Sequence, residues 1–411
     1  MTKQNEEHER LVAIEKKNII LIDAKSVPPG CSVRRRHEMR IAIGMDLHKS
    51  TAVCFAVYAG EGEPNDKNKE FIEKFNAEFR SQASTPGEMV PLVKALNGHE
   101  AWFLIENSTK TFEIYWVLTN LGCNVVVAQA QDLYRITKSV KKTDKNDSIE
   151  LAAYLRRYLH GEREFAVCTM PPKEWMMRRE LCRVLFKEKA HLGDLKKRAR
   201  MHLLLHGIQL RREYSDIFCN AAMIEMNELR DPVLRILVAE AKEIKLRTDK
   251  EAKVIEHFFK DIEMCELIKS IPGFGSVSAA YLTSMIMDID RFQNKNSFTA
   301  YFGVVPRVRE SAETSHRCST THRGDEEIRR LVMQAAFVHV NAVDDSVVKR
   351  MWDRLKDRGM AHREVQCACA RKLLTVVWSV LKNHKPYVKD EKLLRKSEEM
   401  SDILLEDGLT E

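Results

Sequence analysis

Apolar positions follow two different rhythms along this chain. In the first third they come in short runs that end on turn residues or on acids. Arg40-Ile41-Ala42-Ile43-Gly44-Met45-Asp46 leads β-branched and small apolar residues into a carboxylate, and Thr51 to Tyr58 makes a second run. Together they predict a hairpin. Gly60 to Lys69 is polar and predicts a loop, and Pro86 to Leu96 predicts a helix. Trp102-Phe103-Leu104-Ile105-Glu106 is another apolar strand that ends on an acid. A helix over 109–121 stopped by Gly122, a strand from Asn124 to Ala128, and a helix from near Asp144 to about His160 complete this part. Strands alternating with helices predict an α/β layer, whose ligands gather at strand ends.

From Trp175 the rhythm changes. Leu181, Val184, Leu185, Leu192, Leu195, Ala199 and Leu203 recur at threes and fours. Between them stand Arg178, Arg179, Arg183, Lys187, Lys189, Lys196, Lys197, Arg198 and Arg200. This predicts a long amphipathic helix with a basic outer face, a candidate coiled coil. Two readings stay open: a bundle with a solvated charged face, or a dimerisation arm that also touches phosphates. More helix follows to about residue 263. Ile271-Pro272-Gly273-Phe274-Gly275 then joins two helices. Its glycines suit either a plain tight turn or a phosphate cradle of outward N–H groups at a helix start. Val308 to Arg323 predicts a polar loop, followed by helices Ile328 to Val343, 346–358 and 362–383.

Composition narrows the class. A length of 411 residues favours two or three domains, and 44% apolar residues supply real cores. A net charge of +7 is modestly basic and favours a phosphate-rich partner without requiring one. The ten cysteines form no CxxC pair and no zinc-finger spacing, so free thiols in a reducing compartment are expected, with Cys367-x-Cys369 in helix core. The first ten residues carry no apolar signal core, and no apolar run approaches the roughly 20 residues of a membrane helix. A cytoplasmic protein with no membrane partner is expected.

The candidate chemistry lies in Lys141-Lys142-Thr143-Asp144-Lys145-Asn146-Asp147. Asp144 and Asp147, three apart, point the same way at a helix head. Taken alone, such acids are better explained by capping and dipole compensation. Lys141, Lys142 and Lys145 add charge suited to a phosphate chain. Asp46 and Glu106 each end a strand. Four carboxylates in one small space need a cation, and hard oxygen ligands in that number suit Mg²⁺ or Mn²⁺.

These motifs, in this order, resemble the DEDD transposases of bacterial insertion sequences, relatives of the Piv site-specific invertase and understood as bridge-RNA-guided recombinases. The resemblance rests on Ile41 to Lys49, Glu106 and Lys142 to Asp147. It also rests on Ile271 to Gly275, Tyr301-Phe302-Gly303-Val304-Val305-Pro306-Arg307, and Arg323-Gly324-Asp325 to Arg329. It covers roughly residues 38–385. It implies a ribonuclease-H/RuvC-like domain over 38–165, a coiled-coil arm over 170–263, and a helical C-terminal transposase domain over 264–385 with a helix-hairpin-helix-like turn. A charged leader, 1–37, and a charged tail, 386–411, flank them. Asp46, Glu106, Asp144 and Asp147 become metal ligands, and Ser311 becomes a nucleophile that forms a phosphoserine with DNA. Lys141, Lys142, Lys145, Gly273, Gly275 and Arg307 become nucleic-acid contacts. Ala312 and Glu313 stand where the family has glycine after its serine, which keeps Ser315 and Ser319 open as alternatives.

The expected function is thus DNA cleavage and transfer by a homodimer or homotetramer with a guide RNA. Two rivals are a RuvC-like endonuclease using water, which needs the acids but no serine, and a non-catalytic nucleic-acid-binding protein.

Overall fold

A computed structural model describes residues 38–130, 133, 144–162, 165–304, 306–311, 314–320 and 324–388; for Asp144, Lys145, 306–311 and 314–320 it describes the backbone alone. The chain divides into two compact units, Met1–Met170 and Pro171–Glu411.

The first unit is built on a mixed five-stranded sheet of order β3-β2-β1-β4-β5. Its strands are β1 (Arg40–Leu47), β2 (Thr51–Tyr58), β3 (Ser81–Ala83), β4 (Glu100–Glu106) and β5 (Asn124–Ala128). β1 and β2 form the expected antiparallel hairpin, and β4 runs parallel to both β1 and β5. Three helices, α1 (Asp66–Glu78), α2 (Pro86–Ala95) and α3 (Thr111–Asn120), pack on one face. The fourth, α4 (Asp144–Leu159), takes the other.

Side-chain alternation divides the strands between those faces. Ile41, Ile43, Met45, Ala101, Phe103 and Ile105 join the core under α1 to α3. Ala42, Leu104, Val126 and Ala128 join Leu151, Tyr154 and Leu155 under α4. α1 replaces part of the expected 60–69 loop. Asn65 caps it by accepting from Asn68 N, and Phe71, Phe75 and Phe79 supply an apolar stripe that begins just beyond the polar run. Asn76 then bonds both the N–H (2.7 Å) and the C=O (2.9 Å) of Ala56, pairing part of β2 that the short β3 does not reach.

Gly44 fixes how α4 lies. A Cβ at Gly44 would meet Ser148 O at 2.1 Å, Ala152 N at 2.4 Å and the Leu151 Cβ at 2.7 Å. The helix backbone therefore rests directly on the strand, as an interior strand glycine permits. Farther along, Ala153 and Arg157 lie beside Val57, which pairs with Ala42. So α4 runs opposite to β1, and its N-terminal turn sits at the C-terminal end of that strand.

The second unit begins with α5 (Lys173–Leu205), α6 (Asn220–Glu228) and α7 (Pro232–Phe259). α5 spans about 50 Å at 1.5 Å per residue. Leu195 and Leu203 meet Leu234 and Leu237 at one end, while Cys182 and Leu185 share a core with Ile255 and Phe259 at the other. The two long helices are therefore antiparallel. Met201, Leu204, Leu205, Ile224 and Ile236 stay exposed near the turn between them. The expected basic outer face is corrected at Arg179. That side chain is buried and donates to Ser284 O (2.8 Å), because the α5 face that carries it packs on the C-terminal core.

The remaining elements are α8 (Glu263–Lys269), α9 (Ser276–Ile286), α10 (Lys295–Tyr301), β6 (Pro306–Ser311), β7 (Thr314–Thr320), α11 (Glu326–Ala342), α12 (Val347–Asp357) and α13 (His362–Asn383). β6 and β7 form an antiparallel hairpin where a loop was expected, since alternating polar residues gave no apolar signal for a strand. Cys369 is buried in α13 and Cys367 is partly buried, as expected for helix core. Among the described residues no helix is long and apolar enough to cross a membrane.

Gly44→Ala is expected to destabilise the first unit by about 1–3 kcal/mol or more, the usual cost of overpacking a tight contact. Urea unfolding followed by circular dichroism measures this, and an unchanged midpoint would mean that α4 does not rest on Gly44.

Candidate active site

Asp46 and Glu106 arrive at one place through strand geometry. Gly44 faces α4, so Asp46, two residues on, projects from the same face. Leu104 packs under α4, so Glu106 does likewise on β4. β1 and β4 pair in parallel up to Met45 and Ile105, which leaves Asp46 and Glu106 as the next residues of neighbouring strands. Across β5, Glu106 pairs with Ala128, whose small side chain leaves room on that face. The turn of α4 that carries Asp147 immediately precedes Ser148, whose carbonyl oxygen lies against Gly44. Asp144 begins α4; its side chain and that of Lys145 are outside the described residues, as are Lys141 and Lys142 altogether.

Two buried hydroxyls hold the strand ends. Thr111, fully buried, donates to the Glu106 carbonyl (2.6 Å), and its oxygen accepts from Ser108 N (2.9 Å). Ser84, 1% exposed, has its hydroxyl 3.1 Å from His48 O and 3.2 Å from Lys49 O at the β1–β2 turn. His48 Nε2 lies 3.3 Å from Asp46 Oδ2, whose side chain is only 14% exposed. The Asp46 charge is felt behind the sheet. Burial chiefly, with the Asp46 charge adding to it against a Gln82 contact, pushes the Cys54 thiol up to about 12. That thiol is inert.

Asp46, Glu106 and Asp147 thus share a sheet end and a face. Among the described residues they do not close into a group of three or more ligands with metal-binding geometry. Sequence reasoning missed His48, Ser84 and Thr111. Their role is to hold backbone and ring positions, and only the apolar strand interrupted at Gly44 carried a readable signal of close approach.

In the second unit, Gly273 has a packing role. At φ 107° its missing Cβ would lie 2.3 Å from Ala335 O. Gly275 precedes α9 and faces open space. His339, fully buried, sits 2.7 Å from Pro272 O through Nδ1 and 3.0 Å from Ser346 Oγ through Nε2. Ser346 in turn caps α12 by accepting from Lys349 N (3.0 Å). These contacts suit a neutral ring that donates from Nδ1 and accepts at Nε2. Arg307 and Ser311 lie on β6, whose side chains are outside the described residues; so are those of Ser315 and Ser319 on β7.

The hairpin is founded on both sides. Before it, Val304 O accepts from Cys367 Sγ at 3.6 Å. After it, Gly324 at φ 81° passes against Tyr301 O, leading to Asp325. Asp325 caps α11 by accepting from Glu327 N (3.0 Å) and Ile328 N (3.2 Å), while its other oxygen accepts from the Tyr281 hydroxyl (3.0 Å) and Arg183 (3.3 Å).

A family model described as "Transposase IS116/IS110/IS902 family" matches residues 265–352, from α8 into α12. The chain is similar to putative transposase y4qE of Sinorhizobium fredii, 22% identical over 64% of each chain. It is similar to the transposase for insertion sequence element IS1328 of Yersinia enterocolitica, 25% identical over 58% of this chain and 72% of that one. A pilin gene-inverting protein of Moraxella lacunata is 27% identical over 30% of this chain and 38% of its own. The matched stretch is less than two thirds of the length of the first and third of these relatives.

Burial holds the His339 pKa below its ordinary 6.5, with the Pro272 carbonyl opposing. The unfolded chain then binds a proton that the folded one refuses, so stability is full above about 6.5 and falls as pH drops below it. Urea midpoints of the second unit between pH 7 and 5 are expected to fall in the wild type and to fall less in His339→Gln. Equal slopes would remove His339 from the balance.

Proposed function

We propose, on the premise that this chain belongs to the IS116/IS110/IS902 family of insertion-sequence transposases, that it is a DNA transposase or site-specific recombinase with a ribonuclease-H/RuvC-like, metal-dependent first unit. One observation supports this most. Asp46 and Glu106 end neighbouring parallel strands on one face, and the head of α4, with Asp144 and Asp147, is laid across that face at Gly44. Capping alone gives no reason for three separate elements to bring acids to one sheet end.

The donor set fits a hard divalent cation, since every candidate ligand is a carboxylate. Asp46, Glu106, Asp144 and Asp147 would hold Mg²⁺ or Mn²⁺. Such an ion, when bound, orients a phosphate and stabilises charge during in-line displacement. The chain's own part is positional. Thr111 and Ser84 fix the backbone beside Glu106 and beyond Asp46, and the Gly44 contact fixes where the head of α4 lies.

Ser311, the last residue of β6, is the proposed nucleophile. Its oxygen forms a new ester with a DNA phosphorus while a phosphorus–oxygen bond of the strand breaks. The serine proton is given up as the leaving oxygen takes one. A hydroxyl of another strand then attacks the phosphoserine and regenerates the serine, so the number of ester bonds is unchanged. The exposed apolar residues Met201, Leu204, Leu205, Ile224 and Ile236 support self-association through the arm as a dimer or tetramer. A guide RNA is part of the same proposal, and bound RNA in protein purified from the host is its expected mark.

An excision assay on the native element, with junctions counted by sequencing and protein levels matched, tests the reading. Asp46→Asn, Glu106→Gln and Asp147→Asn are each expected to lower junction formation by roughly 10²-fold or more, the scale of single groups that stabilise developing charge. Ser311→Ala is expected to abolish strand transfer. Full transfer in Ser311→Ala would remove the serine step and leave hydrolysis by water. Wild-type junction formation in all three acid variants would remove these acids, and the metal site they are proposed to form, from the chemistry.

A further inference from the structure

The second unit has a basic groove that the proposed chemistry does not use. Two cavities, of about 540 Å³ and 390 Å³, adjoin where both are lined by Met351 and Lys372. The larger lies between α10 and α13, reaching α12 at Met351, and the smaller between α12 and α13. Every charged residue that lines them is basic: Arg350, Arg354, Arg371 and Lys372. The whole chain is close to balanced, with 67 Lys and Arg against 60 Asp and Glu, so a lining with no acid among the described residues is a local feature.

The amphipathic pattern of α12 explains its share. Val348 and Leu355 bury one face, and Arg350 and Arg354, one helical turn apart, are exposed on the flank that also carries Val347. Arg350 is engaged with Asp345 at 2.8 Å, whereas the Lys349 ammonium pairs with Asp353 at 3.0 Å outside the groove. On α13, Arg371 and Lys372 stand above the buried Leu373 and Leu374. Between these cations the lining is mixed, with Ala300, Met351 and Ala368 beside Asn296, Thr299 and Thr375.

Position adds to charge. Ala300 lies on α10, six residues before Pro306 opens the β6–β7 hairpin. Cys367, one turn before Arg371 on α13, contacts Val304 at the foot of that hairpin. Arg371 is near enough to act electrostatically on the Cys367 thiol. One end of the groove therefore lies a few residues along the chain from the hairpin that carries Ser311.

We propose that this groove holds the phosphodiester backbone of duplex DNA. The inference rests on the transposase reading and adds a location to it. Four cations spaced along a cleft match a phosphate chain; Arg350 also pairs with Asp345, and no acid is among the described residues that line the cleft. Among the described residues no aromatic ring lines the groove, which leaves it without the stacking platform that holds unpaired bases. The cationic side chains suit contacts to phosphate oxygens. Such contacts position DNA without reading its sequence.

The test measures binding of full-length protein to a fluorescent duplex of random sequence, by anisotropy, from 50 to 300 mM salt. Arg354→Gln with Arg371→Gln is compared with Arg354→Lys with Arg371→Lys, and melting curves confirm folding. The Gln pair is expected to reduce the slope of log K against log salt by about 2, at about 0.9 per lost phosphate contact. The Lys pair is expected to keep it. Equal slopes and affinities in wild type and the folded Gln pair would overturn the groove while leaving the transposase reading intact. A wild type that binds no duplex at any salt would overturn both. Loss of binding to a duplex RNA with none to DNA would overturn DNA as the occupant.

Discussion

The first unit depends on a contact between two backbones. At Gly44 the strand has no side chain, and the Ser148 carbonyl and Ala152 amide of α4 come down onto it. Any other residue would hold the helix off by the thickness of a side chain. Leu151 and Leu155 then bury against Ala42 and Leu104, each contributing about 1.5–3 kcal/mol from apolar burial, and keep the helix seated. Because α4 runs against β1, seating it also delivers its head to the strand end where Asp46 lies. The fold contact and the placement of the acids have one cause.

The second unit uses a different device, in which charged groups finish helix ends inside a packed core. Arg179 and Arg291 donate to the last carbonyls of α9, Ser284 to Ile286, where the helix stops at Met287 with φ 59°. Cations at a helix C-terminus satisfy free carbonyls and oppose the dipole. Asp325 does the converse at the start of α11 and ties Tyr281 and Arg183 to it. The β6–β7 hairpin is set between Val304 and Asp325, so two firm points hold its stem.

Much of this was legible in the sequence because periodicity reports which face of an element is buried. Ile41, Ile43 and Met45 gave β1, and the threes and fours from Leu181 to Leu203 gave α5. Asp46 and Glu106 stood out because each ended an apolar run. What stayed hidden depends on residues distant in sequence. The stripe Phe71, Phe75, Phe79 was masked by its polar approach, and the β6–β7 pairing offers no apolar alternation. Arg179 reads as a surface charge until the α9 carbonyls come to meet it. Thr111 and Ser84 bond backbone atoms, which leave no trace in side-chain pattern.

Acids from two strands and one helix are proposed to form a single cation site. Mn²⁺ binding to the full-length protein, read as the loss of the free-ion signal in electron paramagnetic resonance, tests it without relying on activity. Mn²⁺ is expected to bind the wild type, and Asp46→Asn and Asp147→Asn are each expected to weaken that binding even though they alter different elements. Undiminished binding in both folded variants would mean that strand and helix acids do not act on one ion.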